Sequence, residues 1–384
     1  MRGSVAIAGV GLAGCGEAPG WTEMEIAAAA AKNALDDAGL TAREVDGVVV
    51  ASTNIFMSGL ALAEHLGVQP AFTESTMVGG SSFVGHLIPA ALALNAGLCD
   101  IVLVAYGSNQ RTGTGRAEAG RHKVALDPLP FEHPYKPFNP PTSYALAAAR
   151  HMHQYGTRRE QLAAIAVAAR QWAQLNPEAF AREPLTLDDV LGSRMVSDPL
   201  TVRDCCLVTD GGGAYVLTRA ERAKDFPQPP AFLLGVGAAH WHRQISSMPD
   251  LTVTAATESG RRAYEMAGLG PEDVDVLELY DAFTINTLLF LEDLGFCEKG
   301  EGGGFVAGGR IAPGGALPVN TNGGGLSCVH PGMYGIFLIV EAVRQLRGEA
   351  GARQVKDAAV ALAHGNGGVL SSQITALFGT KDTL

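Results

Sequence analysis

Four short stretches carry side chains suited to acid–base or nucleophilic chemistry. His330 stands before Pro331 in a glycine-rich run, Pro318 to Gly335, that leads into the apolar residues Ile336 to Val340. Proline suits a helix start, because its missing N–H belongs to the unpaired first turn. A histidine just ahead of a buried helix faces the positive end of the helix dipole and spare backbone N–H donors, a good place to receive a developing oxyanion. A glycine-rich loop with one surface histidine fits the same letters. Tyr280-Asp281-Ala282-Phe283 follows the predicted strand Val274–Leu279, and His364-Gly365-Asn366-Gly367-Gly368 follows the predicted strand Ala358–Ala363. Gly79-Gly80-Ser81-Ser82 forms a further turn, ahead of an apolar helix that reaches about Ala96. Ligands of open α/β sheets gather beyond the carboxyl ends of strands. Tyr280, His330 and His364 are therefore expected to face one pocket as its catalytic groups. Gly80, Ser81, Ser82, Asp281 and Asn366 are the candidate substrate-binding residues around them, with Asp281 read as an acceptor that orients its loop.

The elements that must position these residues alternate between strand and helix. Thr22 to Ala38 reads as an alanine-rich helix and Asp100 to Gly107 as a strand, which indicates a parallel sheet covered on both faces. The chain has 384 residues, with 47% hydrophobic residues, a mean hydropathy of +0.13 and a net charge of −11. That length exceeds one ordinary core. The acidic balance argues against a nucleic-acid binder, with one basic run, Arg111 to Lys123, as a local exception. No stretch approaches the ~18 uninterrupted apolar residues of a membrane span. The N-terminus reads as a first strand rather than a signal peptide, so a cytoplasmic location is expected.

Gly9-Val10-Gly11-Leu12-Ala13-Gly14 matches the dinucleotide-binding pattern, but Cys15 to Trp21 separates it from the next helix. The strand Val45–Val50 then ends in Ala-Ser-Thr rather than an acidic residue. Neither confirming feature is present, so no nicotinamide or flavin cofactor is expected. Six cysteines without a CxxC pair suggest neither a zinc ribbon nor a disulfide framework, and His240 and His242 are read as structural rather than as metal ligands.

Two internal echoes organise the chain. Ala38-Gly39-Leu40 with Val45-Asp46 recurs as Ala267-Gly268-Leu269 with Val274-Asp275, each between a helix and a strand. Gly80-Ser81-Ser82-Phe83-Val84-Gly85 is then echoed by His330 to Gly335, which sets Gly80 opposite His330. Two repeats in the same order indicate duplication of one αβ half. The expected division is an N-terminal half of residues 1–107 plus about 201–225, an inserted loop domain at 108–200, and a C-terminal half at 226–384. Within the insertion two helices are predicted, near Ser143–Tyr155 and Arg159–Leu175, the second with Leu162, Ile165, Ala166 and Ala169 inward and Arg170 and Gln171 outward.

These residues carry a family resemblance. YDAF at 280–283, NTNGGGLSCVHPG at 320–332, HGNGG at 364–368, DPLTVRDCCLVTDGGGA at 198–214 and the helical stretch from Ser143 to Pro177 resemble the thiolase superfamily, nearest its sterol-carrier-protein-type and lipid-transfer branch. The resemblance spans nearly the whole chain. It implies a five-layer αβαβα fold, usually dimeric, acting on coenzyme A thioesters.

The departures bear on the chemistry. A thiolase carries its nucleophilic cysteine at the turn where this chain has Gly79-Gly80-Ser81-Ser82, and no cysteine lies between Cys15 and Cys99. His364 aligns with the second thiolase cysteine, Tyr280 with the Asn or His that begins the family's NEAF or HDCF motif, and only His330 keeps the family's residue. Serine at the turn would need a base within hydrogen-bond reach, and helix capping or backbone packing explains Ser81 and Ser82 better than a nucleophilic role. The pattern resembles the cysteine-less, aldolase-like subgroup, which works with a separate OB-fold, zinc-ribbon subunit. That resemblance implies retro-aldol cleavage of a β-hydroxyacyl-CoA, with Tyr280 catalytic, His330 binding or protonating the enolate thioester and His364 assisting proton transfer. Coenzyme A enters only as part of the substrate, and no metal is expected in the chain. A serine acyltransferase and a non-catalytic acyl-CoA-binding or scaffold subunit are the alternatives.

Overall fold

The computed structural model describes residues 1–113 and 132–384. The first half runs through β1 (Val5–Gly16), α1 (Glu23–Asp37), β2 (Gly47–Val50), α2 (Ser58–Leu66), β3 (Phe72–Glu74), α3 (Ser82–Gly85), α4 (Leu87–Asn95) and β4 (Ile101–Ser108). An excursion follows, with α5 (Pro141–Tyr155), α6 (Arg159–Gln174), α7 (Leu187–Leu191) and the short strands β5 (Met195–Ser197) and β6 (Leu200–Thr201). Then β7 (Asp210–Arg219) returns to the sheet. The second half comprises β8 (Ala231–His240), α8 (Ala256–Ala267), β9 (Val276–Leu279), α9 (Thr284–Asp293), α10 (Gly302–Phe305), α11 (Gly335–Leu346), β10 (Val360–Gly367) and β11 (Ser372–Gly379).

The strands lie in the order β3-β2-β4-β7-β1-β8-β11-β10-β9. β1 and β8 meet only at Ala6 opposite Phe232 and Ile7 opposite Ala231. Outward from that junction both halves repeat one pattern. β1-β7-β4 and β8-β11-β10 are antiparallel, and each series ends in a parallel pair, β4 with β2 and β10 with β9. The duplication expected from the sequence is thus present in the strand order.

Its echoes have matching local chemistry. Gly39 and Gly268 both end a helix in the left-handed region, at φ +69° and +65°, which glycine enters without a Cβ penalty. The Asp46 carboxylate accepts the N–H groups of Asp100 and Ile101 at the start of β4, at 2.9 and 2.8 Å. Asp275 accepts those of Ala359 and Val360 at the start of β10, both at 2.9 Å. The glycines that imitate a dinucleotide motif lie inside β1. A side chain at Gly9 or Gly11 would strike the α1 backbone around Ala34, just as one at Gly235 or Gly237 would strike α8 near Ala263 and Ser259. Close helix-on-strand packing accounts for them.

α11 packs against α3 and against strands of both halves. Ile336 to Val340 are almost wholly buried, each side chain contributing roughly 1.5–3 kcal/mol by leaving water. α1 and α8 cover the outer faces. α1 opens on Thr22 with a full capping box to Glu25, as its sequence requires.

Four expectations change. The sheet is mixed rather than parallel, because β7 and β11 each run antiparallel to both neighbours. Gly335, not Pro331, opens the buried helix, and His330 sits a turn ahead of it. β10 continues to Gly367, so His364 lies within the sheet, opposite Thr375 of β11. Arg170, placed outward by helical periodicity, is 4% exposed and donates to Ser327 Oγ and Glu183 O at 2.9 and 2.8 Å. The loop that α6 covers gives the guanidinium polar partners that an isolated helix lacks. Most of the basic run 111–123 lies outside the described residues. Among the described residues no helix is long and apolar enough to cross a membrane, and no group of three or more His, Cys, Asp or Glu is arranged to hold a metal.

Candidate active site

Tyr280 and Asp281 leave β9 directly beneath the glycine-rich loop. The Asp281 carboxylate accepts the N–H groups of Gly325 and Leu326 at 2.6 and 3.3 Å. Gly324 lies against the same carboxylate at φ +66°, and any side chain there would strike it. Residues Gly324–Cys328 wind as a wide turn closed by Val329 N–H to Gly324 O at 3.3 Å. The excursion clamps this turn from above. Phe180 and Ala181 donate their N–H groups to Cys328 O and Ser327 O at 3.0 and 2.9 Å. At the end of the loop, His330 N–H donates to Thr209 Oγ1 at 2.9 Å, and Thr209 N–H returns to His330 O at 3.3 Å. The His330 backbone is therefore held from both sides.

The Tyr280 ring stands edge-on to His330, with centroids 5.5 Å apart and planes at 85°. Its hydroxyl accepts the Tyr334 N–H at 3.1 Å and lies 3.4 Å from Gly332 O. Tyr334 stacks beyond His330 at 6.1 Å and donates its own hydroxyl to Asn322 Oδ1 at 2.9 Å. Burial raises the Tyr280 phenol well above its ordinary value, with the Tyr334 N–H pulling the other way, so it is a protonated donor at neutral pH. Burial lowers His330 to about 4, so its ring is neutral. His330 Nε2 is buried and has no hydrogen-bond partner. An unpaired buried polar atom costs about 1–3 kcal/mol, a cost that a bound ligand oxygen or hydroxyl would relieve.

Gly80 faces this pair from the first half. A Cβ built there would overlap the Tyr280 hydroxyl and ring edge and lie 2.5 Å from Cζ. The Tyr280 phenol thus fills the space that a side chain at position 80 would need.

The other residues singled out from the sequence are placed differently. Ser81 donates to Val78 O at 3.0 Å and meets Ser372 Oγ at 2.7 Å, and Ser82 accepts the Val78 N–H at 2.9 Å. Both hydroxyls brace the turn. His364 is wholly buried between Thr375 Oγ1 and Gln373 Oε1, each at 2.9 Å, with its ring on Phe290. Asn366 donates to the Tyr144 hydroxyl at 2.9 Å. Cys328, beside His330 in sequence, turns its sulfur toward Asn176 in a small cavity shared with Cys15. Sequence reading missed Tyr106, which donates to Pro331 O and accepts the Met333 N–H at 3.2 Å. Its position at the carboxyl end of β4 was the available signal.

Neutral buried histidines give the fold a pH dependence of definite sign. His330, His86 and His364 are lowered to about 4, 4 and 3, each chiefly by burial. Between pH 6.5 and about 4 the unfolded chain binds protons that the folded chain refuses. Each histidine therefore costs stability as pH falls through that window, by up to about 1.4 kcal/mol per pH unit. Asp281, raised to about 7 by burial, runs the opposite way, because it keeps a proton in the folded state that the unfolded chain releases. Urea midpoints of the wild type and His364→Gln at pH 7, 6 and 5 separate the two, and the variant should fall less steeply on acidification. Parallel curves would show that His364 is not held neutral.

Two duplicated halves meet at a turn without cysteine, beside a histidine with an unpartnered nitrogen and a tyrosine that fills the space a residue-80 side chain would need. Residues 237–380 match the family of thiolase C-terminal domain-like sequences. A steroid side-chain-cleaving aldolase of Thermomonospora curvata is 35% identical over 360 residues, 91% of each chain. A 17-hydroxy-3-oxo-4-pregnene-20-carboxyl-CoA lyase of Mycobacterium tuberculosis is 33% identical over 366 residues, 91% of this chain and 92% of that one. An acetyl-CoA acetyltransferase of Methanothermobacter thermautotrophicus is 34% identical over 382 residues, 95% of this chain and 96% of that one. Among solved structures, the Ltp2-ChsH2(DUF35) aldolase superposes with a TM-score of 0.90 at 32% identity, covering 99% of this chain and 98% of that one. The chain belongs to the thiolase superfamily, in its sterol-carrier-protein-like aldolase branch.

Proposed function

We infer that the protein cleaves the Cα–Cβ bond of a β-hydroxyacyl-CoA by retro-aldol chemistry, with no covalent acyl-enzyme. The observation that carries this reading is the Tyr280 phenol lying in the volume of a residue-80 side chain, edge-on to a neutral His330 whose Nε2 lacks a partner. In the reaction the β-hydroxyl gives up its proton and its oxygen becomes a carbonyl. The Cα–Cβ electron pair passes into the thioester as an enolate, which is then protonated at Cα. Only the enolate oxygen needs fixed donors, and their preorganisation supplies most of the rate. Tyr280 remains a phenol and suits that donor role, while the neutral His330 is the available proton acceptor. His364, with both nitrogens engaged, acts through its neighbours rather than on the substrate. The relatives' names support a bulky, steroid-like acyl group.

The DUF35 component named with the structural neighbour supports a second subunit, of the OB-fold, zinc-ribbon kind that the sequence resemblance implies. Homodimerisation is supported by the edge strand β3, whose neighbourhood exposes Phe56, Met57, Leu60 and Met77. The reading invokes no cofactor beyond the CoA of the substrate and assumes a cytoplasmic enzyme.

The acetyltransferase relative favours acyl transfer as the second reading. Both readings are separated by incubating the chain, alone and with a zinc-ribbon OB-fold partner, with 17-hydroxy-3-oxo-4-pregnene-20-carboxyl-CoA and with linear β-hydroxyacyl-CoAs. Release of a shorter thioester plus a ketone or aldehyde is expected. A covalent acyl group on Ser81 or Ser82, seen by mass spectrometry, would instead establish acyl transfer. Tight binding without turnover would make the chain a non-catalytic subunit.

A further inference from the structure

A second set of buried polar groups lies near Tyr280. The Tyr144 hydroxyl, from the inserted helix α5, donates to Gly368 O at 2.9 Å and accepts from Asn366 Nδ2 at 2.9 Å. Asn366 Oδ1 accepts from Gln373 Nε2 at 2.8 Å, Gln373 Oε1 meets His364 Nε2 at 2.9 Å, and His364 Nδ1 meets Thr375 Oγ1 at 2.9 Å. Ser259 Oγ lies 2.9 Å from Thr375 Oγ1 and begins the series. Every bond can be satisfied with the donors pointing one way, from Ser259 to the Gly368 carbonyl, provided that His364 carries its proton on Nε2. The neutral state imposed by burial is the one this direction requires. Such a chain, with each member satisfied, holds its last side chain in a single orientation.

That last side chain is Tyr144, whose ring stacks on Phe283 at 4.3 Å. Facing its hydroxyl is Asn286, in the first turn of α9, close enough to favour the phenolate. Asn286 is wholly buried, yet neither Nδ2 nor Oδ1 has a hydrogen-bond partner. Two unsatisfied polar atoms on one buried side chain cost several kcal/mol together, which points to a partner that arrives with a ligand. The location fits the same ligand. A side chain at Gly79 would strike Gly367 and Gly368, the latter being Tyr144's acceptor, and one at Gly80 would strike Tyr280. Adjacent residues of one turn therefore separate the Tyr144 hydroxyl from the Tyr280 hydroxyl.

We propose that Asn286, packed beside the Tyr144 hydroxyl that the hydrogen-bonded series fixes, binds the β-oxygen of the acyl group while Tyr280 engages the thioester oxygen and His330 takes the β-hydroxyl proton. The proposal rests on the β-hydroxyacyl-CoA reading and adds to it a specificity determinant. A carboxamide suits this oxygen because its N–H can donate to it both as the hydroxyl of the substrate and as the carbonyl of the product. Tyr144 and His364 are positioning residues in this scheme.

The test is calorimetric binding of matched thioesters to the full chain, with its partner subunit if one is required for solubility or activity. The probes are 3-hydroxyoctanoyl-CoA against octanoyl-CoA, and the 17-hydroxy against the 17-deoxy form of a pregnene-20-carboxyl-CoA. Wild type should prefer at least one hydroxylated member by about tenfold, the scale of one buried hydrogen bond. Asn286→Leu and Tyr144→Phe should abolish that preference while leaving affinity for the deoxy member unchanged. Both are near-isosteric, and near-UV circular dichroism checks the fold. His364→Gln should reduce the preference less than Asn286→Leu. Preference retained in both variants, or equal loss of affinity for both members of a pair, overturns the proposal and leaves the thioester reading intact. If wild type binds no thioester of either pair, the thioester reading fails and this assignment fails with it.

Discussion

Tyr280→Phe should lower kcat for β-hydroxyacyl-CoA cleavage by about a hundredfold to ten-thousandfold, the range for removal of a positioned acid–base group, with little change in KM. The ring and its edge-on contact with His330 remain, so substrate should still enter. What disappears is the hydroxyl, the donor that the proposed mechanism assigns to the enolate oxygen. Its loss also leaves the Tyr334 N–H, now 3.1 Å from Tyr280 Oη, without an acceptor. Stability should therefore fall by about 1–3 kcal/mol, measured as a lower urea midpoint with an unchanged m-value. Activity and stability then separate cleanly. A variant that is destabilised by that amount yet turns over at the wild-type rate would show that the hydroxyl serves the loop rather than the chemistry.

Gly80→Ala should be as damaging, for a steric reason. The added Cβ would overlap the Tyr280 ring edge and hydroxyl, and the phenol cannot easily retreat because it is packed against His330 and Tyr334. Activity should fall to the level of Tyr280→Phe or below. Stability should fall by about 1–3 kcal/mol, the usual cost of overpacking. The decisive comparison is a double-mutant cycle. Tyr280→Ala empties the volume that Gly80→Ala fills, so the double variant should be more stable than the two single losses would sum to, by a coupling of at least about 1 kcal/mol. Additive losses would mean that positions 80 and 280 do not share the space. In this chain the same geometry leaves no room for a residue-80 side chain beside Tyr280.

Much of this site was legible as letters. His330-Pro331-Gly332, Tyr280-Asp281-Ala282-Phe283 and the missing cysteine at Gly79–Ser82 are local features, and glycine clustering and strand-end position are properties of short segments. The duplication was legible for the same reason. Ala38-Gly39-Leu40 and Ala267-Gly268-Leu269 meet one local demand, a left-handed helix exit followed by an aspartate that ties down the start of a neighbouring strand. The roles of His364 and Arg170 were not legible. His364 looked like a strand-end group, but pairing with β11 extends β10 past it and closes both ring nitrogens. Arg170 lies on the polar side by periodicity, and only the glycine-rich loop laid across α6 buries it.

The sequence by itself determined the family, the two halves and the absence of a thiol at the turn, because each rests on residues close together in the chain. Tertiary structure decided which of those residues meet. Tyr280 fills the seat opposite Gly80 although 200 positions separate them, and Asn286 is left unpaired beside Tyr144 of a distant helix. Space and hydrogen-bond satisfaction are settled among all neighbours at once, so no local pattern of side-chain types records them.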